Sequence, residues 1–400
     1  MSDSRGLRLA VVGGGTGGHV MPERHLLAWL TEGVGPDGVS LEDLVWFETG
    51  RRAEIEAMAG LEEDLAGTPV ERVRLTVEPP GGGAPGLGRL ALRSPRAVLA
   101  ARAALKRHRA QLLFGLGGFT LLPAVLAARS LGIPVALLEI NARPGRAVRT
   151  LTPLARRVYH AWTASLPGGL DERQARAGGS GRLKHLLTGP PLPPGLSAAG
   201  DPDAWRARFA PDGTTPTGGA DPVAPEPDAA PPLVAVLGGS QGAGALNDFV
   251  RASIDRWSAA GLRVVHQVGP GRLAEAAAAR PGYLALEFVD DVPGLLRAAT
   301  LVICRAGAST LAEVAALGVP ALAVPYPGAG GHQRDNAAEL EGALRLVEEP
   351  ELTSALADEV VALAGDAGRS WRESSSAELR RRVPADSSLR ILDDLVDLAR

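Results

Sequence analysis

Short apolar runs recur along the chain, and each of the clearest ones empties into a cluster of glycines followed by a stretch with helical spacing. Leu7–Val12 runs into Gly13-Gly14-Gly15-Thr16-Gly17-Gly18-His19 and a helical pattern through about Leu30. Leu112–Phe114 runs into Gly115-Leu116-Gly117-Gly118-Phe119, a helix through Ser130 and the strand Pro134–Leu138. Leu233–Leu237 meets Gly238-Gly239-Ser240-Gln241-Gly242-Ala243, and Leu301–Cys304 is broken by Arg305-Ala306-Gly307-Ala308. Runs without polar alternation predict parallel strands covered on both faces. Further strands are expected at Leu44–Phe47, Val70–Val77, Arg263–Val268, Leu284–Phe288 and Ala321–Val324. Helices are expected at Arg51–Met58, Arg89–Arg109, Ala355–Leu363 and Ser388–Leu398. Leu311–Leu317 should be another, capped by Ser309 and Thr310 and closed by Gly318 and Pro320.

Strands alternating with helices at this rhythm predict an α/β chain with doubly wound parallel sheets. The rhythm runs twice, interrupted by the proline-rich Pro190–Gly195 and the low-complexity Pro211–Pro232. The expected organisation is therefore two Rossmann-like domains facing a cleft, on which the glycine turns converge. Residues 1–195 form the first domain, 196–232 a linker with a low-complexity insertion, and 233–375 the second; 376–400 is a C-terminal helix able to pack back on the first.

Composition narrows the class. Gly 50 and Pro 32 in 400 residues exceed the ordinary share and mean frequent turns. A net charge of -3 argues against a broad nucleic-acid surface. Cys304, the single cysteine, excludes an internal disulfide and suits a reducing cytoplasm. No signal peptide is expected, because Gly13 interrupts the first apolar run. The best candidate for a membrane span, Leu121–Leu138, is broken by Pro123, Arg129, Gly132 and Pro134. A soluble chain able to rest on a membrane surface is the expectation.

The chemistry begins with bare helix N-termini at the carboxyl ends of buried strands, which attract phosphate. Gly13, Gly15 and Gly18 also match the string G-x-G-x-x-G, a weak signal in a glycine-rich chain that keeps a nicotinamide-dependent oxidoreductase as an alternative. The bland reading of each turn is a strand-to-helix connection that needs glycine for positive φ.

Six segments together carry a resemblance: GGGTGGHVMP at Gly13–Pro22, GLGGF at Gly115–Phe119, LEINARPG at Leu138–Gly145, GGSQGAGALN at Gly238–Asn247, CRAGASTLAEVAALGVPALAVPYP at Cys304–Pro327 and HQRDNA at His332–Ala337. In this order the chain resembles the MurG family, glycosyltransferase family 28, over nearly its whole length apart from Pro211–Pro232. The family's members move N-acetylglucosamine from UDP-GlcNAc onto lipid I. The resemblance implies a GT-B fold and an inverting transfer, with neither metal nor cofactor, that yields lipid II for peptidoglycan synthesis. It implies an acceptor-binding N-terminal half, a donor-binding C-terminal half, and peripheral attachment to the cytoplasmic face of the inner membrane; oligomeric state stays open. Another GT-B transferase with a different acceptor and a degenerate, non-catalytic sugar-nucleotide binder remain as alternatives.

Inverting transfer needs a base for the attacking hydroxyl and fixed positive potential for the departing diphosphate. His19, at the end of the first glycine turn, is the first candidate base, its alternative being a cap or packing residue for the following helix. Glu139 is the second, its alternative a salt bridge to Arg143 or Arg146. By resemblance, Gly238, Gly239, Ser240, Gln241 and Gly242 wrap the diphosphate, helped by the helix start at Ala308, Ser309, Thr310 and Leu311. Glu313 would bind the ribose diol or merely complement the helix N-terminus, and Val289 would flank the uracil through its backbone. Gln333 and Asn336 would contact the donor sugar, and Thr16, Gly17, Gly18 and Asn141 the sugar and acceptor side.

The chain also departs from the family pattern. Leu138 and Ile140 replace a histidine and a glutamine, Gly331 stands for an aspartate, and Glu23 and Arg24 replace small residues. TGPPLPP at Thr188–Pro194 puts Leu192 where a diphosphate-contacting arginine is expected. The arginine-rich helix Arg89–Arg109 and the loop Pro79–Leu90 are the candidate membrane contact.

Overall fold

The structure, a computed structural model, describes residues 6–13, 17–65, 67–75, 77, 95–168, 170, 175, 184–209, 231–277 and 280–400. The chain divides into two compact units, Met1–Pro194 with Pro384–Arg400, and Gly195–Val383.

Among the described residues the first unit holds a seven-stranded sheet. Its strands are β1 (Gly6–Val12), β2 (Ser40–Glu48), β3 (Val70–Arg74), β4 (Leu112–Gly115), β5 (Val135–Glu139), β6 (Arg157–His160) and β7 (His185–Leu187). They lie in the order β3-β2-β1-β4-β5-β6-β7, and every pairing is parallel. The central strands β4, β5 and β6 are buried throughout, as the unbroken apolar runs predict. Small residues of the helix Leu121–Ser130 (Ala124, Ala127, Ala128) let it pack close against Leu113, Val135 and Leu137 in one core cluster.

The second unit holds a six-stranded sheet. Its strands are β8 (Leu233–Leu237), β9 (Arg263–Gln267), β10 (Tyr283–Leu286), β11 (Leu301–Cys304), β12 (Ala321–Ala323) and β13 (Arg345–Leu346). The order β10-β9-β8-β11-β12-β13 repeats that of the first sheet, again all parallel. Strand order therefore reverses between β1 and β4 in one unit and between β8 and β11 in the other. In open α/β sheets that switch point is where ligands bind. Val12 pairs with Gly115 and Leu237 with Cys304, so the glycine turns leave their sheets from adjacent carboxyl ends.

Three boundaries differ from expectation. The arginine-rich helix spans Pro95–Arg107, starting at a proline suited to a first turn; the membrane-contact loop lies outside the described residues. The segment after Pro194 is partly structured and belongs to the second unit. Asp201 caps a short helix, Pro202–Ala207, through Asp203 and Ala204, and the Trp205 indole donates to Asp291 at 3.1 Å. Last, a helix not expected from the pattern, Arg369–Arg382, stays with the second unit, so the chain returns to the first at Pro384 rather than at 376. The helix Ser387–Ala399 then buries Ile391, Leu392 and Leu395 in the first unit. It is clamped there by Arg157, which pairs with Asp394 at 2.6 Å beside the Tyr159 hydroxyl at 2.7 Å.

Candidate active site

In the first unit, candidate residues stand at the carboxyl edge of the sheet. Helix α1 (Gly17–Thr31) follows β1 and already includes Gly17 and Gly18, so His19 lies in its first turn rather than at the end of a glycine loop. Thr16 lies outside the described residues, and of His19 the backbone alone is described. Glu139 ends β5 with 2% of its surface exposed. Its carboxylate accepts the Gly145 N–H at 2.7 Å and the Asn141 N–H at 3.0 Å, so it folds the loop Asn141–Gly145 around itself. Burial pushes its carboxyl up to about 7, against the pull of those hydrogen bonds. A carboxyl near neutrality inside a loop of the first unit suits proton transfer. Asn141 is half-buried beside it.

In the second unit the candidates surround the end of β8 and β11. Gly242 has φ +70, and a Cβ there would lie 2.2 Å from the Val268 carbonyl, so glycine alone fits this turn. Gly238 and Gly239 precede it, and Ser240 and Gln241 expose their side chains at its tip. The turn is backed by a residue not singled out in the sequence, Asn247, which is fully buried. Its amide donates to Val268 O at 3.1 Å and to Glu275 at 2.8 Å, while its Oδ1 accepts from His266 Nε2 at 3.0 Å. The Tyr283 hydroxyl completes the chain at His266 Nδ1, 3.0 Å away, and burial keeps His266 neutral, its pKa lowered to about 4. The asparagine in GALN was the available signal.

The helix after β11 begins at Ala308, with Gly307 in extended conformation (φ -67, ψ 142) as its N-cap. Ser309 and Thr310 are thus inside the first turn and not caps, because the flexible glycine makes the approach that a capping side chain would otherwise fix. Ser309 Oγ is buried without a partner among the described residues. Leu311 is core, and half-buried Glu313 is pushed up to about 7 by burial. Arg305, also missed in the sequence, ties the ends of β11 and β12 together. It donates to Val324 O and Pro325 O, both at 3.2 Å, and pairs with Glu349 at 2.5 Å. Asn336 is buried and donates to Ala306 O at 3.3 Å, bracing the helix His332–Ala338 against the turn. Half-buried Gln333 accepts the Tyr326 N–H at 2.9 Å. The Val289 side chain is buried, leaving its backbone for any ligand, next to Phe288 at 57% exposure.

Leu192 is 4% exposed in the first unit, with its N–H and carbonyl held by Ser388 Oγ (2.8 and 2.7 Å) and its carbonyl also by the Trp29 indole at 2.8 Å. Two prolines on either side of it fix an extended path that these groups then read. Among the described residues, no group of three or more His, Cys, Asp or Glu side chains could hold a metal ion.

With these turns located, comparison with known proteins is decisive. Residues 9–160 match the glycosyltransferase family 28 N-terminal domain and residues 233–382 the family's C-terminal domain. The chain belongs to glycosyltransferase family 28. The family's N-terminal domain covers the strands β1 to β6, and its C-terminal domain covers the whole second sheet. A relative from Sorangium cellulosum, named UDP-N-acetylglucosamine--N-acetylmuramyl-(pentapeptide) pyrophosphoryl-undecaprenol N-acetylglucosamine transferase, is 35% identical over 98% of this chain and 88% of its own length. One of the same name from Synechococcus elongatus is 36% identical over 86% of this chain and 84% of its own. Among solved structures, MurG of Acinetobacter baumannii aligns with a TM-score of 0.65 at 23% identity, covering 97% of this chain and 99% of that one. The calicheamicin glycosyltransferase CalG4 aligns with 0.63 at 17%, covering 98% of both chains. The fold is therefore GT-B, and the chain is a family 28 glycosyltransferase.

Proposed function

We propose that this enzyme transfers N-acetylglucosamine from UDP-GlcNAc to the C4 hydroxyl of MurNAc in lipid I with inversion, giving lipid II. The observation that carries the reading is full-length kinship: relatives of that name share about a third of their residues with this chain across both units. The expected N-terminal acceptor half and C-terminal donor half follow the same division.

The second unit holds the donor. Main-chain N–H groups of Gly238–Gly242 and the N-terminus at Ala308–Thr310 face the diphosphate, the helix dipole contributing about 0.3–2 kcal/mol. That is roughly a decade in rate, so the glycine turn carries a comparable share. Ser309 Oγ, which lacks a partner among the described residues, donates to a phosphate oxygen. Glu313 takes the ribose hydroxyls, and the Val289 backbone reads the uracil. Gln333 and Asn336 contact the donor sugar, each held in place by a main-chain hydrogen bond, from Tyr326 N–H and to Ala306 O.

The first unit supplies the proton acceptor. His19 takes the hydroxyl proton as the oxygen attacks the anomeric carbon and UDP departs with the bonding electrons. Glu139 shapes the acceptor loop through Asn141 and Gly145. The acceptor is lipid-linked, so the enzyme works at the cytoplasmic face of the membrane as a peripheral protein. Among the described residues no helix is long and apolar enough to cross it.

The test is transfer of radiolabel from UDP-GlcNAc to lipid I. Label in lipid II, lost with His19→Ala and with Glu313→Ala, supports the reading. Full activity of either variant removes the role given to that residue, and transfer only to another acceptor removes the reading itself.

A further inference from the structure

The loop Gly269–Arg272 lies directly against the glycine turn Gly238–Gly242. Gly269 has φ +97, and a Cβ there would stand 2.6 Å from Gly242 Cα. The loop is held from both sides. Asn247 donates to Val268 O at 3.1 Å just before it, and the Gly271 N–H donates to the Glu287 carboxylate at 2.9 Å. The Arg272 N–H closes the loop on Gly269 O at 3.2 Å. Backbone fixed in this way delivers the Arg272 side chain to a definite place.

That place is the start of the helix Gly244–Ala259, just beyond the turn: a Cβ on Gly244 would lie 3.7 Å from Arg272 Nη1. The helix has no acidic residue in its first turn, and its N-cap, Ala243, makes no side-chain capping bond. Bare N–H groups make such a helix start partly positive, so a cation beside it is unfavourable on its own. An anion seated between the two makes both favourable. The ordinary alternative is an ion pair with Glu275, and it is weak. Nη1 lies 3.4 Å from the carboxylate, both side chains are well exposed, and the same oxygen accepts the Asn247 amide at 2.8 Å. The other guanidinium nitrogens form no hydrogen bond among the described residues.

We infer that Arg272 binds the diphosphate of the nucleotide donor at the start of the helix Gly244–Ala259. Nη1 keeps Glu275, and the Nε–Nη2 edge, with its two parallel N–H groups, is offered to phosphate oxygens. In the transfer the acceptor oxygen bonds to the anomeric carbon, and the hydroxyl proton goes to the base. The bond from that carbon to the β-phosphate oxygen breaks with its electron pair. Arg272 then meets the negative charge that gathers on the departing UDP. This rests on the diphosphate site given to Gly238–Gly242 under the proposed function, and it adds a cation to main-chain N–H groups.

Calorimetric titration of the whole protein with UDP and with uridine separates a phosphate contact from support of the fold, and UDP carries the full charge of the leaving group. Arg272→Met should weaken UDP binding about tenfold or more, while uridine binds within about twofold of the unmodified protein. Arg272→Lys, which keeps the charge and loses the fork, should fall between the two. Arg251→Met is the control, because Arg251 donates to Glu275 O at 2.8 Å and ties down the same segment. It should leave UDP binding within about twofold. Unchanged UDP affinity in Arg272→Met, an equal loss of UDP and uridine, or an equal loss in Arg251→Met overturns the inference and leaves the donor assignment standing. Failure of the unmodified protein to bind UDP overturns the donor assignment and the contact together.

Discussion

The two units share a strand order and diverge in what they keep at the carboxyl edge of the sheet. The first keeps buried acids: Glu23, Glu54 and Glu139 are all nearly inaccessible. The second keeps glycine turns and a helix N-terminus, backed by neutral polar groups such as Asn247 and His266. The first edge is thus rich in buried carboxyls, and the second presents main-chain N–H groups at a glycine turn and a helix start. One topology carries two different edges, and the difference lies in few residues. Strand order could not have told the two apart.

The sharpest break should come from Arg157. Removing one partner of a buried ion pair costs about 3–5 kcal/mol, and Arg157 holds Asp394 inside the first unit. Arg157→Met should lower the melting transition of that unit while UDP-GlcNAc still stabilises the other. A loss of nucleotide binding would show that the units are not separable in this way. Gly242→Ala attacks the opposite edge. Its φ of +70 and the 2.2 Å approach to Val268 O imply strain and overpacking of roughly 2–4 kcal/mol. Isothermal titration should show UDP binding weakened by tenfold or more, with the first unit's melting unchanged.

A subtler contrast is in pH. Folding raises the Glu139 carboxyl from 4.5 to about 7, so the folded first unit binds the extra proton. Its contribution is complete below about 4.5 and is lost as pH rises through about 7. Glu139→Gln should flatten that slope for the first unit only, and Glu313→Gln the corresponding slope for the second. Chemical denaturation at several pH values reads both. The smallest effect belongs to His108, whose pKa is raised by its bonds to Asp43 and Glu71 despite partial burial. Its stabilisation is present below the ordinary histidine range and lost as pH rises through the raised value. As a partly exposed pair it is worth about 1 kcal/mol or less, so His108→Gln should shift the midpoint slightly at pH 6 and hardly at all at pH 9.

Much of this was legible beforehand because apolar runs and glycine turns are local signals. Leu233–Leu237 and Leu301–Cys304 are strands with the expected ends. The family motifs placed the turns in order. What was hidden depended on distant partners. Gly307 rather than Ser309 caps its helix because tertiary packing, not propensity, sets the approach. The backbone of Leu192 holds the docked helix Ser387–Ala399 through Ser388, a contact 196 residues away in sequence. The helix Pro202–Ala207 had its signal in Asp201-Pro202, obscured by the low-complexity sequence that follows. Arg305 and Asn247 hold the second unit's turns from behind, and a short-range pattern does not reveal a brace.

The return of the chain at Pro384 has a consequence for biosynthesis. The first unit is discontinuous: Ser387, Ser388 and Asp394 complete contacts with Pro190, Leu192 and Arg157. A ribosome delivers those residues only after the second unit in its entirety. The unit begun first is therefore finished after the second, its apolar seat for Ile391, Leu392 and Leu395 standing open on the nascent chain. Truncation before Pro384 should yield a folded second unit tethered to an aggregation-prone first unit.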